Sequence, residues 1–182
     1  MNFRFHRRKK NRAGTFFPLA VVVACALALV PACEKTDGSA PRAGTQAAAN
    51  FFSEFPIALG EKTLSLRLAL TDLERQRGLT GCRGLRGNAG MIFVYADANR
   101  RAFWMRGVPV NLSVGFFDAD GILLETREMF AEDIETTVSR AGNVKFVLEM
   151  RENWFAENSV APGAKLDLAA LAAAMRSRGF SQ

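Results

Sequence analysis

Many short strands and few helices predict a mainly β domain of the α+β type, built as a small barrel-like or sandwich fold. Leucines recur at every second position from 64 to 70, the spacing of a strand with one buried face. Apolar and aromatic residues dominate 91–95 and 102–105, which predicts two buried strands around a polar turn. Residues 118–121 supply the turn of a hairpin between two further apolar segments.

The first helix is predicted by a local signal. Thr71-Asp72-Leu73-Glu74 has the pattern of a capping box, so a short helix begins there, and Gly78 is expected to end it. Before it, residues 56–59 form a hairpin with the leucine-rich strand. After it, residues 78–90 form a glycine-rich basic segment, which predicts a surface loop or, alternatively, a rim that faces an anion.

The C-terminal third mixes short elements. Residues 144–150 predict another apolar strand, and Asn153 is expected to cap a single helical turn over 154–157. Residues 165–168 predict a short strand after a Pro-Gly turn. The alanine-rich segment 169–177 predicts a helix at the periphery of the domain.

The N-terminal segment predicts export. A basic start precedes an apolar run over 16–30, and Cys33 follows a short stretch of small residues, as in a bacterial lipoprotein signal. The expected organisation is a signal peptide over 1–32, a lipidated Cys33 at the start of a flexible tether over 33–50, and one domain over 51–182. The protein is thus expected on the periplasmic side of a bacterial membrane. An uncleaved anchor helix is the alternative, although the run is shorter than the roughly 20 residues that span a bilayer.

The charge of the chain is concentrated in the predicted signal. The formal net charge is +6, with 24 basic and 18 acidic residues. Six basic residues and no acidic ones precede Cys33, so 18 basic residues face 18 acidic ones in the remainder. A neutral domain gives no reason to expect a nucleic-acid partner. The expected partners are the membrane, through Cys33, and a small molecule or an envelope protein.

Cysteine and histidine counts exclude several chemistries. If Cys25 leaves with the signal and Cys33 is lipidated, Cys82 is the single free thiol and no intrachain disulfide can form. The only histidine, His6, also leaves with the signal. The mature chain therefore has no Ser-His-Asp triad, no Cys-His pair and no His-ligated metal, and we predict neither a metal nor a cofactor.

Five short motifs occur in a characteristic order. They are Arg77-Gly78-Leu79, Gly90-Met91-Ile92-Phe93, Phe103-Trp104-Met105-Arg106, Phe117-Asp118-Ala119-Asp120-Gly121 and Val147-Leu148-Glu149. This order resembles the family called domain of unknown function 192, from about Ile57 to Leu168. The resemblance implies a compact, mainly β, barrel-like domain that is often exported and has no established activity.

The chain departs from that family pattern in three places. Residues 80–82, Thr-Gly-Cys, stand where the family usually has Met, an aromatic residue and Arg. Residues 106–108, Arg-Gly-Val, replace Lys-Asn-Thr, and residues 111–113, Asn-Leu-Ser, replace Pro-Leu-Asp. If that Asp is catalytic in relatives, Ser113 cannot replace it as an acid or base.

Five side chains are candidate ligand-binding residues, and none is assigned a catalytic role: Trp104, Arg106, Ser113, Glu149 and Trp154. Each tryptophan could line a groove or fill the core. Arg106 could hold a carboxylate or phosphate, or form a surface ion pair. Glu149 could contact a ligand, or pair with Arg106 or Arg101 across the sheet.

Three functions follow from these observations. The preferred one is a non-enzymatic ligand-binding or interaction domain of an envelope lipoprotein. The second is a hydrolase or transferase acting on envelope glycans, with Glu149 and either Asp118 or Asp120 as acid and base in one cleft. Those two aspartates are also the usual residues of a turn, or much less often of a calcium site. The third function is a structural accessory of an envelope protein complex, which predicts an exposed apolar patch.

Overall fold

The computed structural model of the chain describes residues 49–181. The predicted signal peptide, the lipidated Cys33 and all but the last two residues of the predicted tether lie outside this range. Asn50 is the first residue with a described side-chain role, since its Oδ1 accepts a hydrogen bond from the backbone N–H of Phe52 at 2.8 Å. Within the described range, no helix is both long and apolar enough to cross a membrane.

The described chain forms eight strands and three helices. The strands are β1 (Phe55–Leu59), β2 (Lys62–Ala69), β3 (Ala89–Asn99), β4 (Ala102–Phe103), β5 (Leu112–Phe117), β6 (Leu123–Met129), β7 (Thr137–Val138) and β8 (Val144–Arg151). The helices are α1 (Asp72–Arg77), α2 (Trp154–Glu157) and α3 (Leu168–Ser177). The predicted mainly β class is confirmed.

Six strands form one mixed sheet in the order β1-β2-β3-β8-β5-β6. Strands β4 and β7 form a separate antiparallel pair. The edge strands β1 and β6 do not pair with each other, so the sheet stays open. The barrel-like alternative is therefore wrong. The fold resembles a sandwich, because apolar side chains pack on both faces of the sheet.

The pairing of β2 with β3 is parallel, whereas all other neighbours in the large sheet are antiparallel. A parallel pair needs a long crossover, because the chain must return to the same end of the sheet. Residues 70–88 make this crossover and include α1. The predicted capping box is present: the Thr71 hydroxyl accepts from the Glu74 N–H at 3.2 Å, and the Glu74 carboxylate accepts from the Thr71 N–H. Gly78 ends the helix as expected.

The sheet separates two apolar cores because alternate side chains of each strand point to opposite faces. The first core contains Ile92 and Leu148 and is covered by α2 and α3. The second core contains Met91 and Phe93, together with aromatic residues of β4 and β5. The central strands are thus buried on both sides.

Several local predictions differ from the structure. Strand β3 continues to Asn99, and β4 pairs with β7 rather than with β3. The predicted strand 165–168 is reduced to two isolated bridges, from Leu166 to Leu59 and from Lys165 to Ile122, because α3 already begins at Leu168. Asp167 caps α3 by accepting from the Ala170 N–H at 2.9 Å.

The two C-terminal helices are held by burial. Asn153 precedes α2 in a left-handed conformation, φ 59°, and its side chain makes no cap hydrogen bond, contrary to prediction. Helix α2 forms because Trp154 and Phe155 are buried in the first core. Helix α3 is not peripheral, since its residues Leu171 and Met175 belong to the same core.

An ion pair connects α3 with α1. Arg178 follows α3 and donates to the Leu68 carbonyl at 2.6 Å and to the Glu74 carboxylate. Its side chain is 6% exposed. Burial alone would raise the pKa of Glu74, but hydrogen bonds from Arg178 and from the backbone N–H groups of Leu70 and Thr71 lower it. This pair fixes α1 beside the end of β2.

Candidate functional site

A cavity of about 330 Å³ lies between the crossover and the second core. Helix α1 and the residues after it form one wall, and β3, β8 and the segment 102–108 form the others. The residues that line it are Asp72, Arg75, Gln76, Arg77, Gly78, Leu79, Thr80, Phe93, Tyr95, Ala102, Phe103, Trp104, Val108, Thr136 and Glu149. We call this cavity the crossover pocket.

Aromatic rings form its apolar walls. Phe93 and Phe103 meet edge to face with ring centroids 5.0 Å apart, and Phe103 contacts Phe116 in the same manner at 6.2 Å. Gly78 ends α1 beside this wall: its φ of +45° is one that other residues rarely adopt, and a Cβ there would be in ordinary contact with the Phe93 Cζ at 3.4 Å. Trp104 lies at the edge of the pocket, with 59% of its surface exposed.

Glu149 brings a carboxyl group into this apolar surrounding. It lies on β8 between its Cα partners Met91 on β3 and Val114 on β5. Strand alternation places it on the face of the second core, and it is 4% exposed. Its Oε2 has no hydrogen-bond partner among the described residues. Burial raises the pKa of Glu149 to about 8 against the opposing charge of Arg67, so the group is mostly protonated at neutral pH.

Two arginines pack on Tyr95, which also lines the pocket. The guanidinium of Arg101 lies 3.8 Å from the ring centroid and that of Arg75 lies 5.1 Å from it. Arg75 also donates to the Val94 carbonyl at 2.8 Å and pairs with Asp72. Burial raises the pKa of Tyr95, and the two arginine charges reduce that effect without reversing it. The phenol therefore remains a hydrogen-bond donor at neutral pH.

Arg77 is the second arginine of α1 at the pocket. Its guanidinium lies 5.4 Å from the ring centroid of Phe51 and 5.1 Å from that of Phe52. Among residues 49–181 it takes part in no ion pair. The N-terminal end of the described chain is thus held against α1 next to the pocket.

The structure separates the five predicted site residues. Trp104 and Glu149 line the crossover pocket together. Arg106 is exposed in the turn after β4 and is not a lining residue. Ser113 is fully buried, and its hydroxyl donates to the Glu128 carboxylate at 2.6 Å. Trp154 is fully buried in the first core.

The predicted partners of Glu149 are not its partners in the structure. Arg101 donates to the Val144 carbonyl at 3.2 Å and to the Asp97 carboxylate at 3.1 Å, so its guanidinium is already occupied. Arg106 lies in solvent, while Glu149 is enclosed. No ion pair therefore compensates the Glu149 carboxyl within the described chain.

The predicted second carboxylate does not reach the pocket either. The Asp118 Oδ1 accepts from the N–H groups of Asp120 at 3.0 Å and Ile122 at 2.9 Å, as in an ordinary hairpin turn. Asp120 lines a different cavity beside Lys165. In the part of the chain that is described, no three His, Cys, Asp or Glu side chains are placed to hold a metal.

Sequence reasoning missed the α1 wall of the site. These side chains could have been placed at the site by recognising that the capping-box helix lies in a crossover between parallel strands. They are Asp72, Arg75 and Arg77. Two apolar strands separated by a helix and a long loop are the pattern that predicts such a crossover. The order of strands in the sheet, which brings Glu149 beside β3, has no local signal.

Two of the segments that depart from the family pattern meet in space. The Gly81 N–H donates to the Gly107 carbonyl at 2.8 Å. Gly107 has φ +75°, and a Cβ added there would stand 3.1 Å from the Thr80 Cγ2. Thr80 and Val108 both line the pocket. The two departures therefore lie side by side at its border.

Comparison with known proteins agrees with this architecture. A candidate transcription regulator from Sinorhizobium meliloti 1021 superposes with a TM-score of 0.61 at 22% identity, covering 65% of this chain and 95% of that one. A protein of unknown function from Novosphingobium aromaticivorans DSM 12444 gives 0.59 at 23% identity, covering 62% and 84%. At these identities the likeness shows the fold alone.

The search of curated proteins found no match. Residues 56–168 match the family DUF192, whose description reads "Uncharacterized ACR". That range contains the capping-box helix, both parallel strands, Trp104 and Glu149, and it is more than half of the chain. The chain belongs to the DUF192 family.

Proposed function

We propose that this protein is an envelope lipoprotein whose domain binds a small organic molecule in the crossover pocket without transforming it. The observation that carries the proposal is the Glu149 carboxyl, which is buried with one oxygen unpartnered and lines the same pocket as Phe93 and Phe103. Apolar and aromatic walls combined with a small number of placed polar groups are the usual composition of a ligand pocket.

Energetics support a ligand at this position. A buried polar group without a partner costs about 1–3 kcal/mol, which a ligand atom that hydrogen-bonds to it would recover. Phe93 and Phe103 offer apolar surface for the rest of the ligand. The exposed Trp104 at the edge can pack on the outer part of a bound molecule.

The glycan-cleaving alternative has less support. It requires two carboxylates in one cleft, and Glu149 is the only acidic side chain that is buried among residues 49–181. Asp72 shares the pocket but is 88% exposed and paired with Arg75. Asp118 is committed to its turn. Between residues 49 and 181, no second carboxyl is therefore positioned as the partner acid or base of Glu149.

An accessory role in an envelope complex is the second candidate. Exposed apolar side chains often mark interfaces. Phe52, Leu73 and Trp104 are exposed, and each lines the pocket or adjoins a residue that does. In this role a protein partner would cover the mouth of the pocket. Trp104→Ala would then weaken the complex, whereas Glu149→Gln would leave it intact.

The test is a screen of small aromatic fragments by protein-observed NMR, using the full chain in mild detergent. We expect several fragments to shift the amide signals of Phe93, Phe103 and Glu149. Trp104→Ala should weaken these shifts, while Glu157→Gln, a change on the exposed side of α2, should not. Shifts confined to residues outside the pocket, or no shifts at all, would refute a binding role for it.

Export is tested separately through Cys33. Labelling of cells with a palmitate analogue should mark the parent protein, and Cys33→Ser should abolish the label and release the protein from the membrane fraction. Cys82→Ser serves as the matched control, since Cys82 lies within the folded domain. A parent protein that carries no lipid would contradict the lipoprotein assignment.

A further inference from the structure

We propose that the crossover pocket selects organic amines, with the ammonium group held by Glu149 and the apolar body packed against Phe93 and Phe103. This inference rests on the proposed function and specifies its ligand class. It follows from which charges surround Glu149, which surfaces line the pocket, and what the unpartnered oxygen can accept.

Glu149 has no counter-ion in the described chain. Across the sheet, the Cα partners run Arg67, Met91, Glu149 and Val114, so a methionine stands between the arginine and the carboxyl. No ion pair joins Arg67 to Glu149, although the Arg67 charge acts on it from that distance. A compact cation delivered by a ligand would supply the missing partner.

The other charged groups at the pocket make contacts of their own. Asp72 and Arg75 form their own ion pair on α1. Arg77 packs on the Phe51 and Phe52 rings. From β3 the titratable neighbour is Tyr95, and from β5 the neighbour is the uncharged Val114. Among these groups, Arg67 is the one whose charge acts on the Glu149 carboxyl, although Arg77 also has no ion pair within residues 49–181.

Aromatic walls favour a cation over an anion. Ring faces carry partial negative charge, so a cation gains attraction from them, whereas an anion does not. The pocket already shows this behaviour, since two guanidinium groups pack on Tyr95. An ammonium group held by Glu149 would lie within the same aromatic surrounding of Phe93 and Phe103.

Proton release on binding predicts the direction in which amine affinity changes with pH. A protonated amine that binds the neutral carboxyl forms an ammonium–carboxylate pair and releases one proton from Glu149 to solvent. Amine affinity should therefore rise with pH, by up to about tenfold per pH unit, until Glu149 is ionised in the free protein. A carboxylate ligand would need the protonated form of Glu149, so its affinity would stay nearly constant at lower pH and fall only as Glu149 ionises.

The experiment compares three probes that share one ring: benzylamine, benzyl alcohol and benzoate. Each is titrated into the full chain by NMR at about pH 6 and about pH 8, the interval over which the raised pKa predicts the change. We expect benzylamine to shift the pocket signals with the tightest Kd, and that Kd to fall at the higher pH. Glu149→Gln should weaken benzylamine at least tenfold, while Glu157→Gln should not.

The outcomes separate the two levels of the proposal. If benzoate or benzyl alcohol binds in the pocket as tightly as benzylamine, the pocket is a binding site and the amine class is wrong. Unchanged benzylamine affinity in Glu149→Gln, or affinity that falls as pH rises, also overturns it. If none of the three probes shifts the pocket signals, amine selection is refuted, and the fragment screen independently decides whether the pocket binds anything.

Discussion

Glu149→Gln should remove most of the pH dependence of folding stability between weakly acidic and weakly basic pH. In the folded chain, burial raises the pKa of Glu149 from its ordinary value of 4.5 to about 8. At low pH both states carry the proton, so the group is neutral in each. As pH rises above 4.5, the unfolded chain loses the proton and the folded chain keeps it. Stability therefore falls as pH rises, until Glu149 also ionises in the folded state.

The magnitude follows from the size of this interval. Each pKa unit corresponds to about 1.4 kcal/mol. The free energy of unfolding therefore falls by up to about 5 kcal/mol as the pH rises from 4.5 to about 8. The glutamine side chain has nearly the same shape as the neutral acid and does not ionise. The variant should match the parent at about pH 4 and exceed its stability by several kcal/mol at about pH 8.

Urea denaturation followed by tryptophan fluorescence measures this difference. Other ionisable groups contribute little to the pH dependence in this interval. The only histidine is His6, within the predicted signal. Although burial acts to raise them, the pKa values of Glu74, Glu125 and Glu157 are lowered by hydrogen bonds, so these three carboxyls are already ionised. Glu157→Gln is the control and should keep the slope of the parent. Parallel curves for the parent and Glu149→Gln would refute the assignment of a raised pKa to this carboxyl.

Three further changes test the packing. Arg178→Ala should cost about 3 kcal/mol of unfolding free energy, because it leaves the Glu74 carboxylate partly buried without its partner; an equal loss in the exposed-pair variant Arg151→Ala would contradict this. Gly90→Ala should destabilise by about 1–3 kcal/mol in thermal unfolding, since its Cβ would stand 2.6 Å from the Glu149 carbonyl oxygen and closer still to the Met150 sulfur; Gly142→Ala, with open space around it, is the control. Trp154→Ala should cost about 3–5 kcal/mol in urea denaturation and Trp104→Ala less than about 0.5 kcal/mol, and similar costs would show that their burial is not as described.

Two local signals are confirmed, the capping box and the hairpin turn, whereas the side-chain cap expected at Asn153 is absent. The capping box at Thr71 and the ending at Gly78 depend on residues within one turn of the helix, so the sequence contains all the information needed. The hairpin turn at Asp118 is of the same kind, because its carboxylate bonds to backbone two and four residues later.

The site depends on distant contacts, and there the sequence was less informative. Trp104 stands in an apolar run and is exposed, whereas Trp154 follows three polar residues and is buried, so the local sequence would suggest the opposite. The Trp154 Nε1 donates to the Asn88 Oδ1 at 3.0 Å, a contact across 66 positions that only the fold creates. The sequence indicates Glu149 as a candidate. That it has no charged cross-strand neighbour depends on Met91 and Val114, which lie beside it on the adjacent strands.

The ion pair between Arg178 and Glu74 links two helices that lie on opposite faces of the sheet. Arg178 extends from α3, which packs on the first core, while Glu74 belongs to the helix that carries Arg75 and Arg77 at the pocket. Loss of Arg178 is therefore expected to loosen the attachment of α1, and with it the pocket wall, as well as that of α3.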